Sequence, residues 1–444
     1  MQKIVCDTLI DALYVLPIAP ENRAFKNFSV CLQRDRIEAI GPSHEVLAKY
    51  APEQHLRFPD GILTPGLINA HGHAAMTLLR GAGEDMLLEP WLRQRIWPLE
   101  SQLVNPEFVE AGVELAIAEM LGRGTTTFVD MYFFPEVAAQ VASRSNMRTV
   151  LAFPIFDGTN SWARGVEECF RLGFALHDAV RGNPLVNVAF GPHAPYSVSR
   201  RTLERIRMYS DELDLPIHIH LHETAAEVAA AHEKEGRSWI AVLDEIGLLN
   251  PQLQAVHMTT VTPTEIERFA EAGAHVIHCP GSNMKLADGI CPVTAMEAAG
   301  INVAIGTDGG ASNNSLDVLH DGRLASLLAK IDASRADAGA ARDSLRKITL
   351  GGARALGREE DLGSIEPGKL ADLAVFTPAS IASLPLYDPF AALLHNGSAW
   401  RAHSVWVGGV QSLTNGVPAH IDVDAMNARL KTQIGRVEAI LQKS

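Results

Sequence analysis

Two closely spaced histidines follow an apolar stretch that ends at Ala70. His71 and His73 lie in "NAHGHAAM". Side chains two residues apart on a strand point to the same face, so both imidazoles could reach one metal ion. Taken alone, the pair is equally compatible with two surface histidines near a turn.

A second histidine cluster lies in "PIHIHLHET". His218, His220 and His222 alternate with apolar residues, which predicts that the three imidazoles share one face of a strand. The apolar residues between them suit contact with a layer of helices packed on the outside of a sheet. The imidazole face is therefore expected to point into the interior of a sheet that closes into a barrel. Burying these groups unpaired, together with Glu223, would be costly. The pattern therefore favours a metal or catalytic cluster over packing.

Four further polar residues end other apolar runs: His193 in "GPHAPYS", His257 in "AVHMTT", His278 in "HVIHCPGSN" and Asp308 in "AIGTDGGASNN". Considered separately, His193 is more typical of capping or packing, and Asp308 is equally compatible with a helix N-cap. Their recurrence at the ends of successive predicted strands favours one shared site.

Imidazole and carboxylate together suit a hard or borderline divalent ion. Three histidines and one aspartate, with a position left open for water, would suit a catalytic zinc site with ligand bonds of about 2.0–2.2 Å. Fe²⁺ is compatible with the same donors. Two-metal relatives of a barrel with this donor pattern commonly use a modified lysine on the fourth strand, but "VNVAFGPHAP" contains no lysine. The sequence therefore favours one metal ion.

Short apolar runs alternate with helical patterns through the middle of the chain. Ser199 and Thr262 are expected to cap two of these helices. Strand–helix alternation repeated eight times predicts an α/β fold, a (β/α)8 TIM-like barrel with its chemistry at the carboxyl ends of the strands. The eight predicted strands are 62–70, 125–131, 148–156, 186–192, 216–221, 254–258, 275–279 and 302–306.

Both ends of the chain have a different pattern, with short strands and turns. Residues 1–60 and 363–422 are predicted to combine into a small β-sandwich domain beside a barrel over 61–362. A C-terminal helix is expected within 423–444, over Val423–Leu441.

The composition excludes several classes of protein. The net charge of -14 disfavours nucleic acid and anionic membrane surfaces as partners. The five cysteines are scattered without a CxxC pair, so neither a disulfide framework nor a cysteine-based zinc module is expected. No signal peptide or apolar run of about 20 residues is evident, which predicts a cytoplasmic protein.

The constellation resembles the amidohydrolase superfamily, and within it the methylthioadenosine/S-adenosylhomocysteine deaminases. The resemblance covers nearly the whole chain, and HxH combined with HxxE, HAPYS and GTDGxxSNN is a specific signature. The segments that carry it are "TPGLINAHGHAAMTLLRGAGEDMLLEPWL", "IWPLE", "GPHAPYSVS", "HIHLHETAAE", "VIHCPGSNMKLADGI", "GTDGGASNNSLDV" and "GSIEPGKLADLAVF".

This resemblance implies a set of metal ligands comprising His71, His73, His220 and Asp308. His220 is chosen over His222 because the family places a glutamate three residues later, where Glu223 stands. The family usually has a small residue at position 222 and threonine at position 72, so this chain departs from the pattern at both. A continuous strand would put Glu223 on the wrong face, so regular strand structure is expected to end at about His222.

The same resemblance implies the substrate contacts. Trp91 is expected beside the nucleoside, Glu100 at the ribose hydroxyls and His193 at the substrate, while His257 is expected to contact the attacking water. Without the resemblance, Trp91 is equally typical of packing, and Glu100 is more typical of a solvated helix.

Three residues are expected to perform the chemistry. Glu223 protonates the ring nitrogen, His257 and Asp308 orient water, and Asp308 transfers protons from the water to the leaving amine. Glu223 and Asp308 thereby also contact the substrate. General acid–base catalysis of this kind contributes about 100- to 10,000-fold.

The expected substrate is an adenine nucleoside: 5′-methylthioadenosine first, with S-adenosylhomocysteine and adenosine as secondary substrates. A substrate carboxylate would require an arginine, for which Arg164 in "NSWARGVEE" is a candidate, although a surface position is the simpler interpretation. The alternatives are a deaminase or chlorohydrolase acting on another purine, pyrimidine or triazine ring, and a metal-containing nucleoside-binding module without turnover. Resemblance to the family also implies a homo-oligomer.

Overall fold

A computed structural model describes residues 3–442, whose strands form two separate sheets. In chain order the strands are β1 (Ile4–Val15), β2 (Phe25–Gln33), β3 (Arg36–Pro42), β4 (Tyr50–Pro65), β5 (Leu67–Asn69), β6 (Thr125–Asp130), β7 (Arg148–Ile155), β8 (Val186–Pro192), β9 (Ile217–Leu221), β10 (Leu253–His257), β11 (His275–His278), β12 (Asn302–Ile305), β13 (Leu373–Pro378), β14 (Trp400–Val407), β15 (Val410–Thr414) and β16 (Val417–Pro418).

Strands β5 to β12 form a parallel sheet in which each strand pairs with the next along the chain. Its first and last strands are brought together by a hydrogen bond from the Ala70 amide to the Ile305 carbonyl, 3.0 Å long. The predicted (β/α)8 barrel is therefore confirmed. The first predicted strand, 62–70, is divided, because Ile62–Pro65 ends β4 of the other sheet and only Leu67–Asn69 pairs within the barrel.

The second sheet combines both ends of the chain, as predicted. Its strand order is β16-β15-β14-β13-β4-β1-β2-β3. The junction is the antiparallel pair of β13 and β4, in which Leu373 lies opposite Pro65, whereas β1 runs parallel to β4. This small domain is one mixed sheet of eight strands.

Helices follow the barrel strands, and their apolar residues pack in one core with the outward side chains Ile217, Ile219 and Leu221 of β9. The α-helices are α1 (Ser43–Lys49), α2 (Leu88–Pro90), α3 (Trp97–Leu103), α4 (Pro106–Gly122), α5 (Pro135–Arg144), α6 (Val166–Val180), α7 (Arg200–Leu213), α8 (Ala225–Glu235), α9 (Trp239–Glu245), α10 (Pro263–Ala272), α11 (Pro280–Lys285), α12 (Val293–Ala298), α13 (Gly310–Asn313), α14 (Val318–Asp332), α15 (Ala341–Arg346), α16 (Gly352–Ala355), α17 (Pro389–His395) and α18 (Val423–Leu441).

Several helix boundaries follow from capping side chains. Ser199 accepts from the Thr202 amide at the start of α7, and Thr262 forms a reciprocal capping box with Glu265 at the start of α10. Both caps and the C-terminal helix confirm the predictions. Between α2 and α3 the chain adopts a π-helical turn, Trp91–Ile96, which places Trp91 at the mouth of the barrel. Within residues 3–442, no helix combines the length and apolarity needed to cross a bilayer.

Candidate active site

A pocket opens at the carboxyl ends of the barrel strands, where a barrel of this kind places its chemistry. It encloses about 720 Å³ of empty space, including its open mouth. The predicted residues that line it are His73, Trp91, Glu100, His193, His220, Glu223, His257 and Asp308. His71 lies directly beneath, fully buried.

The four predicted metal ligands converge at the base of this pocket. Oδ1 of Asp308 lies 3.3 Å from Nε2 of His71 and 3.1 Å from Nε2 of His73. Nε2 of His220 lies 3.3 Å from Nε2 of His71. Side chains from the first, fifth and eighth strand ends therefore share one small volume.

The outer ring nitrogens of these histidines are all hydrogen-bonded. Nδ1 of His73 donates to the Met131 carbonyl at 2.6 Å, and Nδ1 of His220 donates to the His193 carbonyl at 2.7 Å. Nδ1 of His71 lies 2.7 Å from Nε2 of His218. A neutral imidazole carries one proton, so protons on Nδ1 leave Nε2 as a lone pair aimed at the cluster.

Two such lone pairs meet between His71 and His220. Burial lowers the pKa of both imidazoles well below the usual value, so both are neutral. Two acceptor nitrogens 3.3 Å apart, beside a buried carboxylate, leave the position between them suited to a cation. Imidazole nitrogen with carboxylate oxygen is a donor set that fits a divalent ion such as Zn²⁺.

His257 brings a further nitrogen to the cluster. One donor atom each of His71, His220 and His257 lies within 4.8 Å of the others. Nδ1 of His257 donates to Oδ1 of Asn283 at 2.8 Å, which again leaves Nε2 as an acceptor. The backbone of His257 has a φ of 77°, so the chain leaves strand geometry where this side chain enters the pocket.

Asp308 is held as a carboxylate by its surroundings. Oδ1 accepts from the Gly309 amide at 2.8 Å, and Oδ2 accepts from the Ser282 hydroxyl at 2.6 Å. These two hydrogen bonds stabilise the ionised form of the side chain.

Glu223 is the opposite case, a carboxyl group that keeps its proton. Burial, with the negative charges of Asp288 and Asp308, raises the pKa of Glu223 well above its usual value. Oε1 of Glu223 lies 3.4 Å from Nε2 of His257. The pocket thus holds a protonated acid beside an ionised carboxylate, an arrangement suited to general acid–base catalysis.

A turn in the backbone brings Glu223 to the same side as His220. Strand β9 ends at Leu221, and His222 has a left-handed φ of 51°. The amides of His222 and Glu223 then donate to the carboxylate of Glu227, at 3.2 and 2.8 Å. This confirms that the strand ends at about His222.

The expectation that His222 faces the barrel interior is wrong. Its Nδ1 donates to the Thr260 carbonyl at 2.8 Å, and its charged neighbours are Glu265 and His232 on the surrounding helices. The left-handed turn rotates this side chain out of the alternation that His218 and His220 follow, so His222 is no member of the donor cluster.

Glu100 enters the pocket from α3. Its Oε1 accepts a hydrogen bond of 2.7 Å from the Tyr132 hydroxyl, and burial raises the pKa of Glu100 to about 7. Trp91 lines the same pocket and is 4 % exposed. A carboxylate and an indole are thus placed together at the rim, although neither follows a barrel strand.

His193 presents an acceptor nitrogen to the pocket. The Ser197 hydroxyl donates to the Ala194 carbonyl at 2.9 Å, so its oxygen is left to accept from Nδ1 of His193 at 3.2 Å. Burial lowers the pKa of His193 to about 3, and its ring stacks on Phe156 with centroids 4.8 Å apart.

Arg164 does not reach the pocket. It is exposed beyond β7, and its amide donates to the Glu168 carboxylate. No lysine or arginine lines the pocket within residues 3–442. The arginine expected for a substrate carboxylate is therefore not provided by Arg164, and its surface interpretation holds.

Several residues that hold the predicted site residues in place were not among the predictions. Ser282 and Asn283, which bind Asp308 and His257, lie in the motif "HCPGSNMKL" that was already singled out, so their position was available as a signal. Tyr132 follows β6, and a polar residue at a strand end could have been noticed there. Glu227 likewise ends the segment "HIHLHETAAE" that carries the resemblance, so its position was also available as a signal.

Comparison with known proteins agrees with this geometry. Residues 62–410 match the Amidohydrolase family. A 5-methylthioadenosine/S-adenosylhomocysteine deaminase from Teredinibacter turnerae is 46% identical over 405 residues, which is 91% of this chain and 92% of the relative. The protein of the same name from Saccharophagus degradans is 40% identical, over 92% of this chain and 91% of the relative.

Solved structures give the same result. An adenosine deaminase from Xanthomonas campestris with bound Zn superposes with a TM-score of 0.96 at 42% identity, covering 99% of this chain and 100% of the other. Atrazine chlorohydrolase from Arthrobacter aurescens, complexed with zinc, has a TM-score of 0.88 at 22% identity over 96% and 100%, a likeness of fold alone. The chain therefore belongs to the amidohydrolase family and, within it, to the 5-methylthioadenosine/S-adenosylhomocysteine deaminases.

Proposed function

We propose that this chain hydrolyses the exocyclic amine of adenine nucleosides, releasing ammonia and the inosine analogue. The main substrate is 5′-methylthioadenosine, with S-adenosylhomocysteine and adenosine as secondary substrates. One observation carries the proposal: a protonated Glu223 lies beside a His–Asp donor cluster in a pocket that also contains Glu100. The names of the relatives support the same reaction.

His71, His73, His220 and Asp308 hold one divalent ion per chain, with Zn²⁺ as the first choice and Fe²⁺ compatible with the same donors. When bound, the ion supplies Lewis acidity that makes water a nucleophile at neutral pH. The zinc in the Xanthomonas campestris adenosine deaminase supports this assignment. Metal analysis of the purified protein tests it, and we expect one ion per chain.

Glu223 acts as the general acid. Its buried, protonated carboxyl group donates to the purine ring nitrogen next to the carbon that carries the amine. Protonation withdraws electrons from that carbon and opens it to attack by water. Because Glu223 lies outside the four-residue donor set, its proton is available for the substrate.

His257 orients the attacking water, and Asp308 transfers its proton. Nε2 of His257 is an acceptor, since its Nδ1 proton is donated to Asn283, and it orients the attacking water. The ionised Asp308 accepts a proton from that water and returns it to the departing amine, which leaves as ammonia. As the C–N bond breaks, the new hydroxyl becomes the carbonyl, and its proton restores the one that Glu223 gave to the ring nitrogen. Both protons of the water are then accounted for, and both carboxyl groups return to their starting states.

The rest of the pocket selects the nucleoside. Glu100 accepts hydrogen bonds from the ribose hydroxyls, Trp91 contacts the nucleoside, and His193 contacts the base through its acceptor nitrogen. Among the described residues, no lysine or arginine lines the pocket, so a substrate carboxylate that enters it loses water without gaining such a partner. We therefore expect kcat/KM for 5′-methylthioadenosine to exceed that for S-adenosylhomocysteine by about 10-fold or more.

A panel of adenine nucleosides with different 5′ groups tests the substrate proposal. Purified enzyme is mixed with each, and ammonia release and loss of absorbance at the adenine maximum are followed. Binding without either change would make the chain a nucleoside-binding module. Turnover of free purine bases, pyrimidines or triazines in preference to every nucleoside would replace the proposed substrate class, because such rings have no ribose for Glu100.

A further inference from the structure

A line of buried hydrogen bonds crosses the barrel interior beneath the donor cluster. Nε2 of Gln254 donates to the Ala355 carbonyl at 2.6 Å. Oε1 of Gln254 lies 2.7 Å from Nδ1 of His218, and Nε2 of His218 lies 2.7 Å from Nδ1 of His71. Gln254 and His218 are opposite each other on the neighbouring strands β10 and β9. His71, His218 and Gln254 are at most 1 % exposed.

The direction of each hydrogen bond in this line is forced. The Ala355 carbonyl can only accept, so the Gln254 amide turns its NH2 toward it and its oxygen toward His218. That oxygen can only accept, so Nδ1 of His218 carries the proton. Nε2 of a neutral His218 is then an acceptor, and the proton between the rings belongs to Nδ1 of His71.

This arrangement distinguishes His71 from the other two histidines of the donor set. His73 and His220 each donate Nδ1 to a backbone carbonyl, which no substitution of a side chain removes. His71 donates to a side chain, and its Nε2 is the atom close to both Asp308 and His220. The central nitrogen of the cluster is thus oriented by two residues that do not line the pocket.

We propose that His218 and Gln254 are positioning residues: they keep the proton of His71 on Nδ1 and so increase the affinity of the site for its metal ion. The proposal rests on the metal centre proposed above. Partners of this kind fix the tautomer and orientation of a ligating imidazole, and their loss weakens metal binding by about 10- to 100-fold.

Simple packing would not produce this line. Barrel interiors are usually filled by apolar side chains, and Ala70, Val256, Ile277 and Ala304 form such a cluster here. His218 and Gln254 insert two polar groups into that interior, and both find partners only along the line that ends at His71. Apolar residues would fill the same space without a need for partners.

The test is the zinc dissociation constant of the full-length protein, measured by competition with a chelator. His218→Leu removes the acceptor of His71, and we expect about 10- to 100-fold weaker zinc binding. His218→Gln retains an oxygen acceptor and an amide donor, so its zinc affinity should stay within about threefold of wild type. Gln254→Leu, which leaves Nδ1 of His218 unpaired, should fall between these two.

A matched control is Ile277→Ala, which removes apolar volume from the barrel interior but no hydrogen-bonding group of the line. Its zinc affinity should equal that of wild type, although its thermal stability falls. The double variant His218→Leu/Gln254→Leu should bind zinc no more weakly than His218→Leu alone, because both substitutions act through His71.

The outcomes separate this proposal from the proposed metal centre. A wild-type chain that binds no stoichiometric zinc overturns the metal centre and this proposal together. A wild-type chain that binds zinc while His218→Leu binds it equally tightly overturns only the role of the line. If His218→Leu does not fold, Gln254→Leu and His218→Gln decide, and equal zinc affinity in wild type and Gln254→Leu overturns the proposal.

Discussion

The two ends of the barrel both bury charged side chains but satisfy them differently. At the amino end, Arg148 of β7 meets Asp372 of the small domain through two hydrogen bonds of 2.9 Å, and each side chain is 3 % exposed. The third guanidinium nitrogen, Nη1, donates to the Pro184 carbonyl, and the Gly408 amide donates to Asp372. At the carboxyl end, the buried imidazoles of His71 and His220 point two lone pairs at each other.

This difference distinguishes a cluster that stabilises the fold from one that is available to bind an ion and a substrate. The Arg148–Asp372 pair is complete, because each charge has its counter-charge and all three guanidinium nitrogens donate to an acceptor. The carboxyl-end cluster is incomplete as protein alone, with acceptors facing acceptors and Glu223 kept protonated. Polar groups that remain unsatisfied within the fold are the ones available to an ion and a substrate.

The largest expected effect tests the acid at the carboxyl end. Glu223→Gln keeps the shape of the side chain but cannot transfer a proton, so kcat should fall by about 100- to 10,000-fold. The zinc content should remain one ion per chain, since Glu223 lies outside the donor set. Steady-state ammonia release together with metal analysis measures both. Wild-type turnover in this variant would remove Glu223 from the mechanism.

Substitution in the Arg148–Asp372 pair should reduce the stability of the fold and leave catalysis unchanged. Arg148→Ala leaves Asp372 buried with only a backbone donor, so the free energy of unfolding should fall by about 3–5 kcal/mol. Activity per folded molecule should be unchanged at a temperature well below the transition. Denaturant unfolding and kcat/KM measure the two quantities. The control Arg148→Ala/Asp372→Ala removes both charges and should lose less stability than the sum of the single variants.

Part of this contrast could be predicted from the sequence. The alternation of His218 and His220 with apolar residues identified a polar interior face, because strand side chains alternate strictly. The same rule failed at His222, where a left-handed backbone turn interrupts the alternation. Periodicity also could not divide residues 62–70 between two sheets, since Ile62 and Ile68 are equally apolar and buried.

The periodicity of the sequence could not predict which residues form hydrogen bonds with the site residues. Tyr132 reaches Glu100 across 32 positions of the chain, and Arg148 reaches Asp372 across 224. Such contacts depend on how strands and helices are arranged in space, which one sequence does not specify. Glu100 itself was identified through family resemblance, and its residue type and spacing would have indicated a solvated helix.

A smaller effect is expected at Glu100, which should influence both the stability of the fold and the binding of the nucleoside. Its pKa is about 7, above the usual 4.5, so the folded protein binds the proton more tightly than the unfolded chain. This carboxyl group therefore destabilises the fold as pH rises from about 4.5 to 7, by roughly 3 kcal/mol at most. Glu100→Gln should be more stable than wild type at pH 8 and equally stable near pH 4.5, as measured by denaturant unfolding.

The same substitution should weaken nucleoside binding. Loss of the ionised acceptor should raise KM for 5′-methylthioadenosine by about 10- to 100-fold at pH 8. In wild type, KM should rise as pH falls below about 7, because protonation removes the acceptor, whereas Glu100→Gln should lack this dependence. A KM that varies with pH equally in both proteins would show that Glu100 does not bind the ribose.

The smallest expected effect lies at the rim, where one neutral hydrogen bond sets the tautomer of His193. The Ser197 hydroxyl gives its own proton to Ala194 and so can only accept from Nδ1 of His193, at 3.2 Å. Ser197→Ala removes that acceptor, which frees the proton to occupy Nε2 and to block the acceptor that faces the base. A bond of this strength contributes about 0.5–1.5 kcal/mol, so kcat/KM should fall by about 2- to 12-fold with zinc affinity unchanged. Since His193 is not among the proposed metal ligands, weaker zinc binding in Ser197→Ala would mean that the hydrogen bonds around His193 and the metal centre are coupled.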